Sequence, residues 1–116
     1  MYKYIFLNLI FPLVFLITGY LLKKFPPKNI NSYAGYRTQR SKKNIETWNE
    51  ANKYSARLLI YFSLLSEVLT IISLFILGKS YILEGAGVFI SMSLMIISLV
   101  IIVILTENHL KNTFEK

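Results

Sequence analysis

Three long apolar runs constrain the fold of this chain more than any other feature. They cover about residues 4–22, 58–77 and 84–105. Each is close to the roughly 20 residues that an α-helix needs to cross the hydrocarbon core of a bilayer. A soluble domain mixes its apolar and polar residues at periods of two or 3.6 instead of gathering them in blocks. The 116 residues therefore predict a single all-α domain, an integral membrane protein with three transmembrane helices.

The first apolar run has an alternative interpretation as a secretory signal peptide, because it lies near the N-terminus. Lys3 is the only charged residue before it, and no small-x-small cleavage site follows it. Lys23 and Lys24 follow instead, as they would in a stop-transfer flank. We therefore expect a membrane span, kinked where Pro12 removes a backbone hydrogen bond.

A polar segment, residues 23–57, separates the first two runs. Pro26-Pro27 is expected to end the first helix. Ser41 and Asn44 are both plausible N-caps for the next helix. The apolar spacing predicts a short amphipathic helix from Ile45, lying at the level of the lipid headgroups and running into the second span.

The distribution of charge predicts the topology. The formal net charge is +7, and most of the basic residues lie in the 23–57 loop. The positive-inside rule places this loop and the C-terminus in the cytoplasm and the N-terminus outside the plasma membrane. Anionic lipid headgroups satisfy such a loop more simply than nucleic acid, which we do not expect as a partner. The basic residues of the loop are Lys23, Lys24, Lys28, Arg37, Arg40, Lys42, Lys43, Lys53 and Arg57, against Lys79 alone in the next loop.

Residue types that catalysis and metal binding need are scarce. The chain has no Cys and no Asp, and His109 is its only histidine. We expect His109 to be solvated in a mobile polar tail after residue 105, because one histidine beside one carboxylate is a poor metal site. No set of nucleophile, base and orienting group can be assembled. The sequence therefore predicts no enzyme, no metal and no cofactor.

Glu67 is the one ionisable residue deep within a predicted span. A carboxyl group there is costly and marks a functional candidate for binding a proton, a cation or a cationic peptide. The alternative is a protonated side chain hydrogen-bonded to Ser63 or to a polar group of the third span. Small and polar residues recur on both spans at helical spacing, which is typical of close helix packing. They are Ser63, Ser66, Thr70 and Ser73 on the second span and Gly87, Ser91 and Ser98 on the third.

The motif Gly35-Tyr36-Arg37-Thr38 is the strongest candidate for a binding site. Glycine permits backbone geometry that other residues avoid. Arg37 can bind a phosphate or carboxylate with two hydrogen bonds at the headgroup level. The alternative is a basic loop held against anionic lipid. The aromatic residues that suit a belt at this interface are Trp48, Tyr54 and Tyr61.

The order of residues around this motif resembles the bacterial SdpI-type immunity protein family. That family shows a GYRT-like tetrad, a Ser three residues on, and then a Trp followed by Ala-Asn. In this chain the resemblance rests on Pro26, Pro27, Asn31, Gly35, Tyr36, Arg37, Thr38, Ser41, Lys43, Asn44, Glu46, Trp48, Ala51, Asn52 and Lys53.

The resemblance implies a multi-pass membrane protein that protects its host from a secreted, membrane-active toxin peptide. The best-known member, which has additional spans, also resembles a receptor that holds a transcriptional repressor at the membrane. The site residues carried over are Gly35, Tyr36, Arg37, Thr38, Ser41, Trp48, Ala51 and Asn52.

Three functional hypotheses follow. The first is an immunity-type protein in which Arg37 contacts the ligand while Tyr36 and Trp48 position the loop. The second is a small transport or accessory subunit that uses Glu67. The third is a structural membrane protein that assembles through the stripe containing Ser66. The expected partners are a bilayer with anionic headgroups, a toxin peptide or cytoplasmic regulator, and a second copy of the chain in a homo-oligomer.

Overall fold

Three α-helices make up the fold: α1 (Tyr2–Lys24), α2 (Ile45–Leu77) and α3 (Tyr81–Phe114). α2 packs against both other helices, and α1 also contacts α3. The resulting bundle is elongated, 51 × 26 × 19 Å. The structure is a computed structural model that describes residues 2–31, 35–77 and 81–115. Over these residues there is no strand, so the prediction of an all-α fold with three helices is confirmed.

α2 is one uninterrupted helix of 33 residues, about 50 Å long. Its start at Ile45 agrees with the prediction. The short amphipathic helix expected between the first two spans is not a separate element, however, because it forms the first turns of α2. No proline or glycine occurs between residues 45 and 77 to interrupt the helix.

Asn44 is the N-cap of α2. Its side-chain Oδ1 accepts a hydrogen bond from the Thr47 backbone N–H at 2.9 Å, and Thr47 Oγ1 accepts one from the Asn44 backbone N–H at 3.1 Å. This reciprocal pair satisfies two backbone donors that the helix start would otherwise leave unpaired. Of the two N-cap candidates, the structure therefore selects Asn44, while Ser41 stabilises the loop before it.

α3 continues past the third apolar run and ends only at Phe114. Thr106 and Leu110 are both fully buried in this extension. The prediction of a mobile tail after residue 105 is therefore wrong. Buried contacts with the rest of the protein keep this polar stretch helical, and these contacts involve residues far away in sequence.

α1 lies close to α2 where Gly19 faces Ala56 and Ile60. A Cβ atom at Gly19 would lie 3.0 Å from the Ile60 side chain and 3.3 Å from the Ala56 carbonyl oxygen. The absent side chain lets the two backbones approach, as small residues do between membrane helices. α1 remains helical through Pro12, which is itself buried, and the kink expected there stays a prediction.

The outer surface of the bundle is apolar. α2 and α3 contain stretches long and apolar enough to cross a membrane, Ile45–Ser73 and Gly87–Phe114, and only 33 % and 22 % of their most apolar windows are buried. A core helix of a soluble protein would be mostly buried instead. α1 has 23 residues, so its length of about 35 Å also suffices. The turn expected at residues 78–80 lies outside the described residues.

The inner surface of the bundle carries the small and polar stripes. Both stripes face the other helices of the same chain, as expected for helix packing. Their buried members are Ser63, Ser66, Thr70, Gly87, Ser91 and Ser98, with Ser73 half-buried.

Candidate functional site

The loop before α2 folds back over one end of the bundle, and we call its residues 35–44 the polar cap. Gly35 begins the polar cap with φ +94°, a left-handed backbone conformation that favours glycine. A Cβ atom at this position would collide with Asn52 Oδ1 and lie 2.8 Å from Pro27 Cγ. Glycine is therefore required here both for backbone conformation and for space.

Asn52 uses its side-chain amide to hold the polar cap against α2. Its Oδ1 accepts a hydrogen bond from the Tyr36 backbone N–H at 2.7 Å, and its Nδ2 donates to the Trp48 carbonyl oxygen at 2.9 Å. Asn52 is 1 % exposed, and the neighbouring Ala51 is fully buried. Neither side chain can touch a ligand outside the protein without a rearrangement of the polar cap.

Trp48 joins the start of α2 to the segment after α1. Its indole N–H donates to the Pro27 carbonyl oxygen at 2.9 Å, and the side chain is fully buried. The expectation that Trp48 belongs to an exposed aromatic belt is therefore wrong. The structure shows that Trp48 contacts the loop at Pro27 from inside the protein, and its role in positioning the signature motif stays a prediction. Tyr61 is 61 % exposed, as a belt residue would be.

Ser41 closes a tight turn with Thr38. Its hydroxyl accepts a hydrogen bond from the Thr38 backbone N–H at 2.8 Å and donates to the Thr38 carbonyl oxygen at 2.8 Å. The Ser41 backbone carbonyl in turn accepts from Thr47 Oγ1 at 3.0 Å. Because Ser41 is fully buried, its role in the structure is to connect this turn to the N-cap of α2.

Two side chains of the polar cap reach across to α3 and meet at Glu107. The Tyr36 hydroxyl donates to Glu107 Oε1 at 2.8 Å, and Arg40 Nη1 donates to Glu107 Oε2 at 2.7 Å. Arg40 Nε also donates to Glu115 Oε2 at 2.5 Å. Charge-assisted hydrogen bonds of this kind are stronger than neutral ones. They attach the polar cap to the end of α3.

The ionisation of this cluster follows from its hydrogen bonds. Burial raises the pKa of the Tyr36 hydroxyl, and the Glu107 carboxylate raises it further. Burial would also raise the pKa of Glu107, but hydrogen bonds from Thr38, Tyr36 and Arg40 outweigh it and lower that pKa. Tyr36 lies in the loop before the second apolar run and Glu107 lies beyond the third, so both groups are outside the predicted spans. Because the pKa of Tyr36 is raised and that of Glu107 is lowered, the cluster holds a neutral phenol, a carboxylate and a guanidinium at neutral pH.

Arg37 is the member of the tetrad that the structure places on the surface. Its side chain is exposed, while the neighbouring Tyr36 and Thr38 are only partly exposed and contact Glu107. An open groove of about 510 Å³ lies beside the polar cap. This groove is polar, and it is lined by Thr38, Gln39, Arg40, Lys43, Glu107 and Glu115.

Sequence reasoning missed Arg40, Glu107 and Glu115 as site residues. Glu107 lies 67 residues from Arg40 and 71 from Tyr36, so no local spacing connects them. The only signal in the sequence was the presence of carboxylates in a segment that we expected to be a tail.

His109 is another correction. Its ring stacks on Tyr54 with centroids 4.0 Å apart, and its Nε2 lies 2.8 Å from Glu50 Oε1. It is therefore a packed residue between α2 and α3 and not a solvated tail residue. No group of three or more His, Asp or Glu side chains in the described ranges could hold a metal ion.

Within the bundle, three polar atoms of α2 are buried without a hydrogen-bond partner among the described residues. They are Ser63 Oγ, Glu67 Oε2 and Thr70 Oγ1. Ser63 and Thr70 are fully buried. The alternative in which Glu67 is hydrogen-bonded to Ser63 is therefore not what the structure shows. Unpaired buried polar atoms are uncommon and call for an explanation.

The fold and the site together define a class: a three-helix protein with an apolar exterior and a polar cap that joins α2 to α3 at one end. Residues 28–106 match the model of the SdpI/YfhL protein family. The chain is also 43 % identical over 97 residues to the uncharacterized protein YfhL of Bacillus subtilis (strain 168), covering 83 % of this chain and 78 % of that protein. The chain belongs to the SdpI/YfhL family, which confirms the resemblance seen in the sequence. No solved structure matches it.

Proposed function

We propose that this protein is a multi-pass protein of the plasma membrane that protects the cell against a secreted, membrane-active toxin peptide. Family membership supports the proposal, as do the apolar exterior and the small, polar interior of the bundle. The basic loop and the C-terminus would be cytoplasmic and the N-terminus outside, because the loop holds most of the positive charge.

The observation that carries the proposal is that the polar cap, together with Trp48 at the start of α2, links α2 to α3 and to the segment after α1. Trp48 binds Pro27 after α1, Asn52 binds Tyr36 from α2, and Tyr36 binds Glu107 on α3. A peptide that inserted between the helices would change their spacing, and that change would be transmitted to the polar cap. The signature motif would thereby sense events within the membrane.

In this proposal the eight signature residues have two different roles. Arg37 is exposed and contacts the toxin peptide or a cytoplasmic regulator. The other residues support the loop that carries Arg37: Gly35 permits its backbone conformation, and the remaining side chains are buried or hydrogen-bonded within the protein. These supporting residues are Gly35, Tyr36, Thr38, Ser41, Trp48, Ala51 and Asn52.

The test is survival of a sensitive bacterium that expresses the protein and is challenged with membrane-active peptide toxins. Arg37→Ala is compared with Lys42→Ala, which removes an equal charge from an exposed residue of the same loop. At matched membrane abundance, we expect the wild type and Lys42→Ala to protect and Arg37→Ala to fail. If Arg37→Ala also protects the cell, Arg37 is not the residue that contacts the ligand. If the wild type protects against no toxin, the immunity role is wrong.

A second candidate function, cation or proton movement, is favoured by the unpaired atoms of Ser63, Glu67 and Thr70. One carboxyl oxygen and two hydroxyls without partners among the described residues can bind a proton or a small cation in the bundle interior. Proteoliposomes that contain a pH-sensitive dye would test this function. Glu67→Gln should abolish an ion flux that Arg37→Ala leaves intact, and the absence of any flux with the wild type would exclude this function.

The third hypothesis, a structural membrane protein that assembles through the stripe containing Ser66, is not supported by the position of that stripe. Ser66 is 3 % exposed within a single chain, so the serine stripe is already used for packing inside the bundle. A homo-oligomer, if formed, would use another face.

A further inference from the structure

A second cleft lies on the side of the bundle where α1 ends and α2 begins. It has a volume of about 410 Å³ and is lined by Leu22, Lys23, Pro26, Asn49, Lys53 and Arg57. Three of these six residues are basic, and none is among the eight site residues carried over from the family resemblance. We propose that this cleft binds the phosphate-bearing headgroup of an anionic membrane phospholipid.

The charge of the cleft calls for an anion. Lys23, Lys53 and Arg57 are all exposed. Within the described ranges no carboxylate pairs with any of them, because the ion pairs there join Arg40 to Glu107 and Glu115 and His109 to Glu50. Like charges gathered in one cleft repel one another unless a negative group lies among them. A phosphate group would supply that negative charge, and Arg57 can bind it with two hydrogen bonds.

The geometry of the helices sets the shape of the cleft. Asn49, Lys53 and Arg57 are four residues apart and form one row on the surface of α2. The close approach of Gly19 to Ala56 brings the end of α1 beside this row. Lys23 follows Gly19 by one turn of helix and lines the cleft from the α1 side, opposite the row on α2.

The position of the cleft points to a lipid as the source of the phosphate. Lys23 directly follows the first apolar run, and Arg57 directly precedes the second, so both lie at the expected headgroup level. Below Arg57 the same row of α2 continues with Tyr61 and Leu65, which are 61 % and 53 % exposed. A headgroup in the cleft would therefore lay its acyl chain along an exposed apolar track. A soluble anion has no acyl chain that could cover these apolar side chains.

The inference rests on one part of the proposed function, the insertion of the protein in a membrane, and not on the immunity role.

The test uses the purified full-length protein in neutral detergent. It measures by native mass spectrometry how much phosphatidylglycerol the protein retains compared with phosphatidylcholine. The variant is Lys53→Gln/Arg57→Gln. The matched control is Lys24→Gln/Lys42→Gln, which removes equal charge outside the cleft. Lys24 instead lies over the rings of Tyr20 and Phe25.

We expect the wild type and the control to prefer phosphatidylglycerol. The variant should lose about tenfold or more in that preference, because each basic residue near an anionic surface contributes measurably to binding. Equal loss in variant and control, or no preference in the wild type, would overturn the proposal. So would thermal stabilisation of the wild type by inorganic phosphate equal to that by the lipid, since the site would then be one for free anions. If the double variant does not fold, Lys23→Gln serves as the second variant. These readouts involve no toxin, so their failure is distinct from failure of the immunity role.

Discussion

Tyr36 and Glu107 lie 71 residues apart in the chain, yet the Tyr36 hydroxyl donates a hydrogen bond to Glu107 Oε1 at 2.8 Å. This contact joins the signature motif to the end of α3. Arg40 binds the other oxygen of the same carboxylate at 2.7 Å. Both oxygens of Glu107 are thus used to attach the polar cap, and the end of α3 is part of the candidate site.

Removal of the Tyr36 hydroxyl should destabilise the protein without changing its fold. Tyr36→Phe leaves Glu107 with one donor fewer at a partly buried site, and a hydrogen bond to a charged group contributes about 1.5–3 kcal/mol. Thermal unfolding in a mild detergent, followed by circular dichroism, measures the loss. Tyr61→Phe is the control because Tyr61 is largely exposed. Equal midpoints for the two variants would contradict the role of this hydrogen bond.

Acid should weaken the attachment of the polar cap. The pKa of Glu107 is lowered in the folded protein despite partial burial, because Thr38, Tyr36 and Arg40 stabilise the carboxylate. The folded state therefore holds this proton less readily than the unfolded chain, in which a Glu pKa is about 4.3. The contribution to stability is present above that value and is lost as the pH falls through the lowered folded pKa.

The measurement is the difference in thermal midpoint between the wild type and Glu107→Gln, taken from pH 7 to pH 3. We expect the difference to be largest at neutral pH and to shrink in acid as the wild-type carboxylate becomes protonated. A difference that stayed constant across this range would show that the charge of Glu107 does not contribute.

Gly35→Ala should loosen the polar cap. Its Cβ atom would meet Asn52 and Pro27, and its backbone conformation would be strained, at a cost on the order of 1–3 kcal/mol. Limited trypsin digestion reports the result, since Arg37, Arg40 and Lys42 lie within this loop. We expect faster cleavage in Gly35→Ala than in Gln39→Ala, an exposed neighbour. Unchanged cleavage would mean that the loop absorbs the methyl group without moving.

Trp48 provides an intrinsic probe of the same loop, because it is the only tryptophan and is fully buried. We expect emission at short wavelength and little quenching by acrylamide in the wild type. Asn52→Ala removes the amide that holds Tyr36 and should increase the quenching, whereas Asn49→Ala, an exposed neighbour on the same helix, should not. Strong quenching in the wild type would instead place Trp48 at the surface.

Local patterns accounted for much of the fold. The start of α2 at Ile45 was predictable because the Asn44–Thr47 cap is formed by residues three apart. The family was predictable because its signature is a linear order of residues. The inward orientation of Ser63, Ser66 and Thr70 was predictable because helical spacing alone puts them on one face.

The sequence by itself therefore determined the helical class, the apolar runs and the family, since each is encoded in neighbouring residues. Only the tertiary structure decided that Trp48 and Asn52 are buried supports, that Arg37 is the exposed member of the tetrad, and that the segment after residue 105 is helix. These outcomes depend on contacts such as Tyr36 and Arg40 with Glu107, which exist only where α3 is packed against the rest of the bundle. Neither the hydrophobic periodicity nor the local spacing of residues predicts which carboxylate will accept a hydrogen bond from which donor in the packed bundle.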